Sequence, residues 1–284
     1  MLYQDSKTNK VYFSNILQNK YSNFAQALFK ILDKYHMNYE LINNTKDIWM
    51  RDYMPIQTSN DSFVRYIHKP DYLQGFSKVR TNPKQATKFL VKKNIIDIKL
   101  NLDGGNIVRA KNKIICTDKI FKANRAFSRQ EVLNTLKTTL KISEVIIVPE
   151  QPFDMTGHSD GLVRFINEDK VMISSYLEED RAFEKKLIAS LIKHKLEIVM
   201  LPPTGYCKDK DGAVWIPYIN YMQVGSLIIL PGAGLTADDE VIAFFKKHFP
   251  NCIIDYVDAT KIIEQGGALN CISWNINENR GLNV

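Results

Sequence analysis

The sequence predicts an α/β fold in which ββαβ-like repeats form a closed ring. A strand, strand, helix, strand pattern occurs three times, in units that end near Pro149, Pro202 and Asp258, at a period of roughly 55 residues. The chain before Asp103 has room for a partial unit, and the segment through Cys271 has room for a closing one. No Pro-rich, Gly/Ser-rich or low-complexity linker interrupts the pattern, so we expect one domain over residues 1–284.

Ahead of the repeats, the sequence predicts a helix over residues 23–37 and a short strand over residues 39–42. The apolar residues of the helix recur at helical spacing and would form one face: Phe24, Leu28, Ile31, Leu32 and Tyr35. An aromatic-rich stretch at residues 47–55 follows and ends in proline. Taken alone, this stretch fits buried aromatic residues beside a surface charge pair, Arg51 and Asp52.

Each repeat begins with two strands, continues with a helix and ends in a buried strand. The first unit has strands at 107–109 and 113–117, a helix at 128–140 and a strand at 145–148. The second has strands at 162–166 and 170–174, a helix at 178–194 and a strand at 198–201. The third has strands at 218–222 and 227–230, a helix at 236–248 and a strand at 253–257. Ser128 followed by Glu131 predicts a capping box at the start of the first of these helices.

Composition narrows the class of protein. With 284 residues and 45% hydrophobic residues, the chain can bury a large core. The formal charge is +7, but the lysines are scattered singly and in pairs, which disfavours a nucleic-acid partner. The first residues lack the pattern of a signal peptide, and no apolar run approaches the length of a membrane helix. We therefore expect a cytoplasmic protein with no membrane partner.

The four cysteines, at positions 116, 207, 252 and 271, have neither metal-ligand spacing nor the density of a disulfide scaffold. Cys116 and Cys252 belong to apolar, strand-like runs and are expected in the core, whereas Cys207 is expected in a loop. Metal binding is disfavoured because His158 has no second histidine at ligand spacing. The other histidines fall in helical or irregular surface contexts: His36, His68, His194 and His248.

Cys271 is the candidate nucleophile. Because Leu269 and Ile272 flank it, Cys271 could simply be a small buried apolar residue. Two features favour a reactive thiol: the glycines at 266–267 permit close backbone approach, and His158 could supply a base. A cysteine and a histidine far apart in sequence are typical of a nucleophilic site that is assembled by the fold.

Four polar or glycine-rich junctions follow predicted strands, at residues 49–52, 103–106, 154–160 and 266–271. In a closed ring such junctions converge near the axis, so residues that are distant in sequence can line one pocket. The candidates brought together in this way are one thiol, one imidazole and four carboxylates: Cys271, His158, Asp52, Asp103, Asp154 and Asp160.

The carboxylates indicate the kind of substrate. Peptide hydrolysis needs hydrogen-bond donors around an oxyanion, and a pocket lined with aspartates would repel that charge. A planar guanidinium fits better, because two carboxylates can each accept two of its N–H groups while an aromatic ring such as Trp49 covers its plane.

On this interpretation Cys271, as a thiolate, attacks the central carbon of the guanidinium. His158 protonates the departing nitrogen and then activates the water that hydrolyses the thiouronium intermediate. Aspartates near the thiol raise its pKa, whereas a cationic substrate or a protonated His158 lowers it. We therefore expect the thiolate to form mainly when substrate is bound.

Four motifs occur in a fixed order. They are Trp49, Arg51 and Asp52 with Pro55; Asp103, Gly104, Gly105 and Asn106; Gly157, His158, Asp160 and Gly161 with Arg164 and Phe165; and Gly266 and Gly267 before Cys271. Together they resemble the agmatine deiminase and Porphyromonas-type peptidylarginine deiminase family over residues 49–274. The resemblance implies the five-bladed pseudosymmetric α/β propeller of the guanidino-modifying (pentein) enzymes, formed by a single catalytic domain over residues 1–284.

The resemblance also implies roles for individual residues. The catalytic set is Cys271 as nucleophile, His158 as general acid and base, and Asp52 and Asp160 as the carboxylates that bind the guanidinium. The expected substrate-binding residues are Trp49, Asn106, Asp154 and Asn270. Asp103 is expected to shape the pocket wall with Asn106. Asn270 stands where the family usually has histidine, and the chain is shorter than typical members.

The leading expectation is a deiminase of polyamine biosynthesis that converts agmatine to N-carbamoylputrescine and ammonia. A peptidylarginine substrate is the close alternative, disfavoured because that role usually goes with export. Free or modified arginine is less attractive, because only Arg109 and Arg164 are available to bind its carboxylate. A guanidino-binding protein without turnover is the alternative from another class, as is a protein that dimerises through sheet edges.

The presence of both Cys271 and His158 favours the enzyme over the binder, since binding needs neither a thiol nor a proton carrier. No cofactor and no metal are expected. The expected partner is a small cationic guanidino compound, and assembly into a homo-oligomer is left open.

Overall fold

The computed structural model describes residues 2–152, 154–175, 180–202, 206–209 and 212–278. The strands are β1 (Lys10–Ser14), β2 (Asn38–Ile42), β3 (Ile56–Ser59), β4 (Ser62–Ile67), β5 (Asn94–Asn101), β6 (Val108–Arg109), β7 (Lys113–Thr117), β8 (Glu144–Val148), β9 (Val163–Phe165), β10 (Lys170–Ile173), β11 (Glu197–Met200), β12 (Tyr206–Asp209), β13 (Gly212–Trp215), β14 (Met222–Val224), β15 (Leu227–Gly232), β16 (Ile253–Asp258) and β17 (Trp274–Ile276). The helices are α1 (Asn15–Lys20), α2 (Ser22–Lys34), α3 (Met50–Tyr53), α4 (Pro83–Ala86), α5 (Lys119–Ala123), α6 (Arg129–Leu140), α7 (Arg181–Lys193), α8 (Thr236–His248), α9 (Thr260–Ile263) and α10 (Leu269–Ile272).

Five three-stranded sheets share one topology within the described residues. In each, the middle strand pairs antiparallel with one neighbour and parallel with the other. The sheets, written with the middle strand second, are β17-β1-β2, β3-β4-β5, β6-β7-β8, β9-β10-β11 and β14-β15-β16. Helices connect the middle strand to the parallel one, as such crossovers require. The predicted ββαβ-like unit is therefore confirmed, and it occurs five times.

The first sheet joins the two ends of the described chain. Its antiparallel edge strand is β17, which pairs with β1 in the register Lys10 to Ile276. Strand β1 then pairs in parallel with β2 along its whole length. The unit that the early sequence could fill only partly is thus completed by the last described strand.

Most helices and strands lie where local sequence patterns predicted them. The predicted capping box is present, with Ser128 and Glu131 at the start of α6. The predicted helix over 178–194 is α7, and its predicted first residues lie outside the described ones. Apolar side chains of α2 and α8 pack into the largest core cluster with strands β1 and β15, and Cys116 is fully buried as predicted. Among the described residues, no helix combines the length and apolar character needed to cross a membrane.

Two local predictions were wrong. The strand expected over residues 218–222 is a buried 3₁₀ turn, Tyr218–Asn220, followed by β14. A buried turn and a buried strand share the same run of apolar residues, so composition did not separate them. Cys207 lies in β12, which forms a separate hairpin with β13, and not in a loop.

Five short turns join each sheet to the next. They are α3, the 3₁₀ turns Gly104–Asn106, Ser159–Gly161 and Tyr218–Asn220, and α10. Each turn contacts the next one in this order, and α10 contacts α3. The five junctions therefore form a closed ring of contacts, which brings together residues that lie about 50 positions apart in the sequence.

A buried ion cluster lies beneath this ring. Asp5 is within 2.8 Å of Arg164 and 2.5 Å of Arg109, and 3.9 Å from Arg51. The side chains of the three arginines are 5–8% exposed. Burial alone would raise the pKa of Asp5, but the charges of Arg109, Arg51 and Arg164 hold it well below its ordinary value. Arg51, expected in a surface pair, is therefore a core residue, because Asp5 supplies its charge partner from a distant segment.

The same cluster also connects the ring of junctions to the last described strand, β17. Arg51 Nη2 donates to Asn275 Oδ1 at 2.7 Å, and its Nε donates to the backbone carbonyl of Asn270 at 3.3 Å. Arg164 donates a hydrogen bond to the backbone carbonyl of Tyr221. Its guanidinium carbon also lies 4.2 Å from the centroid of the Tyr221 ring, over which the group stacks. The side chains of Arg109 and Arg164 are thus also buried, although both residues lie on the edge strands β6 and β9.

Replacing Asp5 with asparagine should destabilise the protein strongly, because it leaves three buried guanidinium groups without a carboxylate. We expect the free energy of unfolding at pH 7 to fall by about 3–5 kcal/mol, measured by urea denaturation. The depressed pKa of Asp5 means that this contribution is complete above the unfolded carboxyl value of about 3.9 and is lost as the pH falls below it.

The matched control is Asp97→Asn, which breaks the exposed pair of Asp97 with Arg65 (2.7 Å). This change should cost about 1 kcal/mol or less. Equal costs for the two variants at pH 7 would contradict the importance assigned to the buried cluster.

Candidate active site

One cleft of about 530 Å³ opens at the ring of junctions. Six of the eight site residues expected from the sequence line it: Trp49, Asp52, Asp154, His158, Asp160 and Cys271. Asp154 lies at the rim, where it is exposed. The structure therefore brings the expected thiol, imidazole and two buried carboxylates into one cleft.

Cys271 lies on the one-turn helix α10, not on a strand, and is half-buried. Its Sγ is 3.3 Å from Asn220 Oδ1, the same oxygen that accepts a hydrogen bond from the Cys271 backbone N–H at 3.2 Å. Sγ is also 3.8 Å from Asp160 Oδ2. Burial, together with the charges of Asp160 and Asp52, raises the pKa of the thiol well above its ordinary value. The free protein thus holds Cys271 mainly as a thiol at neutral pH.

His158 is held between two carboxylates. Its Nε2 is 3.1 Å from Asp103 Oδ2, and its Nδ1 is 3.6 Å from Asp52 Oδ1. Burial alone would lower the pKa of His158, but the charges of Asp52 and Asp103 and the hydrogen bond to Asp103 raise it to about 9. His158 therefore carries a proton at neutral pH and can act first as an acid.

The two carboxylates beside His158 differ in protonation. Burial would raise the pKa of Asp103, but hydrogen bonds from His158 and His68 keep it well below its ordinary value. Burial raises the pKa of Asp52 to about 6, with His158 opposing and Asp103 and Asp160 adding to the shift. Asp52 accepts a hydrogen bond from the backbone N–H of Gly105 at 3.0 Å. Asp103 is thus a fixed anion, and Asp52 is the carboxylate whose charge depends on what occupies the cleft.

Two glycines of the sequence motifs are required by close packing at this site. A Cβ on Gly105 would lie 2.7 Å from both Asp52 Oδ1 and His158 Nδ1. A Cβ on Gly267 would lie 2.5 Å from the Trp49 ring. Gly267 therefore lets the indole pack against the backbone before α10, whereas the sequence suggested that it served the approach of Cys271.

Two residues that were predicted to bind the substrate do not line the cleft. Asn106 does not line the cleft, because its side-chain oxygen accepts hydrogen bonds from the backbone N–H groups of Thr117 and Ser159. Asn270 lies behind the cleft wall, where its Nδ2 donates to Asp160 Oδ2 at 2.6 Å. Asn270 thus supports a carboxylate rather than facing the substrate, and its own Oδ1 is buried without a hydrogen-bond partner.

Asp154 lies at the rim of the cleft, and its carboxylate already accepts hydrogen bonds from the neighbouring loop. Its carboxylate accepts hydrogen bonds from the N–H and hydroxyl of Thr156 and from the N–H of Gly157. Gly157 has a φ of +61°, so the loop before His158 needs a glycine at this point. Asp154 therefore shapes this loop and adds negative charge at the mouth of the cleft.

Three functional residues were missed or underestimated. Asn220 lies in the junction before β14. This junction was missed because residues 218–222 were predicted as a strand and because the β12-β13 hairpin is inserted before it. Counting one junction for each repeat would have identified Asn220. Asp103 was expected only in the pocket wall, yet it binds two histidines. His68, expected at the surface, is 6% exposed and binds Asp103, and no local pattern marks it.

The cleft is strongly acidic. Its acidic lining residues are Asp47, Asp52, Asp154 and Asp160, and no lysine or arginine lines it within the described part of the chain. No group of three or more His, Cys, Asp or Glu side chains in that same part is arranged to hold a metal ion. A thiol, a protonated imidazole and paired carboxylates in an acidic cleft can bind a planar cation and attack its carbon.

Comparisons with known proteins agree with this arrangement. The family model described as Porphyromonas-type peptidyl-arginine deiminase matches residues 7–276. Two curated proteins named "Putative agmatine deiminase" are similar: one from Photobacterium profundum, 25% identical over 207 residues, and one from Streptomyces coelicolor, 24% identical over 192 residues. The alignments cover 62% and 60% of this chain but only 57% and 56% of the two relatives.

A solved structure titled C. jejuni agmatine deiminase is similar over 96% of this chain and 95% of that chain, with a TM-score of 0.79 and 18% identity. At this level of identity the likeness concerns the fold.

Removing the charge of Asp160 should make the thiol of the free protein more reactive. We expect Asp160→Asn to alkylate at Cys271 roughly three- to tenfold faster than wild type at pH 7, because a like charge that raises the thiol pKa is gone. The measurement is iodoacetamide labelling followed by mass spectrometry of the Cys271 peptide. Asp154→Asn is the control and should leave the rate unchanged. A slower or unaltered rate in Asp160→Asn would refute this electrostatic account.

Proposed function

Because the chain belongs to the Porphyromonas-type peptidyl-arginine deiminase family, we propose that it hydrolyses the guanidino group of a small cationic substrate. The preferred substrate is agmatine, which would give N-carbamoylputrescine and ammonia. The observation that carries this proposal is the position of Cys271 and protonated His158 in a cleft with paired buried aspartates.

The charge of the cleft supports agmatine over free arginine. Agmatine carries a guanidinium at one end and an ammonium at the other, so both ends are attracted by the aspartates. Arginine carries a carboxylate, for which the described lining offers no lysine or arginine. Arg109 and Arg164, the only candidates from the sequence, are bound to Asp5 in the ion cluster beneath the ring.

The roles follow from position. Asp52 and Asp160 would hold the guanidinium N–H groups, and Trp49 would cover its plane. Asn270 leaves one oxygen of Asp160 free for the substrate by binding the other. The rim carboxylate of Asp154 would attract the distal ammonium. Asp103 would keep the His158 ring oriented through Nε2.

The first half-reaction forms a covalent intermediate. As the cationic substrate binds, the thiol of Cys271 loses its proton to solvent, and the sulfur attacks the guanidinium carbon to form a C–S bond. His158 donates its proton to one terminal nitrogen, the C–N bond breaks, and ammonia leaves. The product of this step is a thiouronium on Cys271.

The second half-reaction returns the enzyme. A water molecule enters where ammonia left, and neutral His158 accepts its proton as the C–O bond forms. The C–S bond then breaks as the C=O bond of the ureido product forms, and the proton released from the C–OH group returns the sulfur to its thiol form when the product leaves. In sum, one water is consumed and one ammonia is released for each guanidino group.

The architecture belongs to the same proposal. The five equivalent sheets and the closed ring of junctions support a five-bladed pseudosymmetric α/β propeller with the cleft on its axis. We also propose that residues 1–284 form one catalytic domain.

Purified protein should release ammonia and a ureido product from agmatine, and Cys271→Ala should lower this activity by about three orders of magnitude or more. Free arginine, a peptidylarginine and methylated arginines are assayed in parallel. Faster turnover of the peptide would assign the alternative peptidylarginine substrate. Absence of product from all four, or equal product from Cys271→Ala, would refute the proposal.

The pH dependence of kcat/KM should report His158. Because the pKa of His158 is raised to about 9, the imidazolium is present below that pH and lost above it. We therefore expect kcat/KM for agmatine to fall as the pH rises through about 9, measured by ammonia release. An activity that keeps rising well above this pH would argue against His158 as the acid.

A further inference from the structure

We propose that His68 is a positioning residue that moderates the charge of His158 through the carboxylate of Asp103, which the two imidazoles share. The inference about catalysis rests on the proposed deiminase function, whereas the inference about coupling rests only on the geometry. The three side chains form a buried row in which His158 belongs to the groups assigned to the reaction and His68 does not.

The geometry is a carboxylate held at both oxygens. His68 Nδ1 lies 2.9 Å from Asp103 Oδ1, and His158 Nε2 lies 3.1 Å from Asp103 Oδ2. All three residues are buried, with 4–8% exposure.

This arrangement fixes where the hydrogens lie. An ionised carboxylate only accepts, so both ring nitrogens that face it must donate. His158 therefore keeps a hydrogen on Nε2 and exchanges its proton at Nδ1, the nitrogen that faces Asp52 at 3.6 Å. His68 likewise keeps a hydrogen on Nδ1 and can gain or lose one only at its other nitrogen.

The surroundings favour a charge on His68. Burial lowers the pKa of His68, but its hydrogen bond to Asp103 and the charges of Asp103, Asp52 and Asp47 outweigh burial and raise it. The edge of the Tyr53 ring is the other neighbour with a titratable group, at 6.0 Å between centroids.

His158 is surrounded in a similar way. It faces Asp52, Asp103 and Asp160, and the Tyr72 ring lies edge-on at 6.0 Å. Without a second imidazolium, Asp103 would stabilise the His158 proton alone and hold it more tightly. A cationic His68 shares that carboxylate, and this lowers the cost of the step in which His158 must be neutral to accept a proton from water.

The test is a histidine titration of the free protein by NMR with labelled imidazoles. In His68→Gln, the neutral amide can still donate a hydrogen bond to Asp103. The contact with Asp103 is therefore kept, and only the positive charge of residue 68 is removed. We expect the pKa of His158 to rise by about one pH unit relative to wild type. His194→Gln is the matched control, since His194 forms its own pair with Glu144 at 2.7 Å, and it should leave His158 unchanged.

Wild-type protein supplies a second measurement that does not depend on the folding of a variant. The His68 and His158 titration curves should each have two steps, because protonation of one imidazole alters the other. Independent single-step curves in wild type, or an unchanged or lower His158 pKa in His68→Gln, would overturn the proposal.

Kinetics then test the catalytic consequence. In His68→Gln, the fall of kcat/KM at alkaline pH should move upward by about one unit, and kcat near pH 7 should decrease while KM changes little. If the NMR shift appears but neither protein acts on any guanidine, the deiminase proposal fails and the coupling stands. If both proteins are active with identical pH profiles, the role of His68 in catalysis is refuted.

Discussion

The ion pairing of three buried arginines with Asp5 is the interaction on which the site depends. Arg51 and Asp52 are neighbours on the single turn of α3, yet they face opposite sides: Arg51 enters the ion cluster, and Asp52 enters the cleft. Arg51 also donates to the backbone carbonyl of Asn270, the residue before Cys271. Without Asp5, the buried charge of Arg51 would lose its ion pair with a carboxylate, and the hydrogen bond from Arg51 to the carbonyl of Asn270 would be weakened. The position of Cys271 relative to Asp52 therefore depends on a carboxylate near the start of the chain.

The same kind of short turn occurs at all five junctions of the site, and each turn carries different polar residues. Each sheet ends in a parallel strand, and the turn that leaves it projects polar groups toward the ring of junctions. Those groups are Asp52, Asp103, the His158 and Asp160 pair, Asn220 and Cys271. Since every turn contacts its neighbours, residues in successive repeats meet at hydrogen-bond distance. The repeated backbone therefore sets the positions of these polar groups, and differences in single residues between the repeats set their chemistry.

The sequence predicted what depends on neighbouring residues and missed what depends on distant partners. The capping box of Ser128 and Glu131 and most strands were predictable because their signals are local. The cleft residues at four junctions were found because glycine and polar residues interrupt apolar strands there. The burial of Arg51 and His68 was not predictable, since it is set by Asp5 and Asp103 from other parts of the chain. Asn106 belongs to one of the motifs, and Asn270 adjoins Cys271 at a position where the family usually has histidine. Their amides bind the backbone and Asp160, which only the packed structure reveals.

The protonation of the resting site argues for activation by the substrate itself. The thiol pKa is raised by burial and by Asp160 and Asp52, while the pKa of His158 is raised to about 9 despite its burial. Both groups therefore hold their protons at pH 7, unlike a preformed thiolate and imidazolium pair. A guanidinium between Asp52 and Asp160 cancels the charges that raise the thiol pKa, and it adds a positive charge of its own beside the sulfur. Under the proposed function, the cation that is attacked would therefore also promote formation of the thiolate, whereas a neutral electrophile entering the cleft would meet a thiol that still holds its proton.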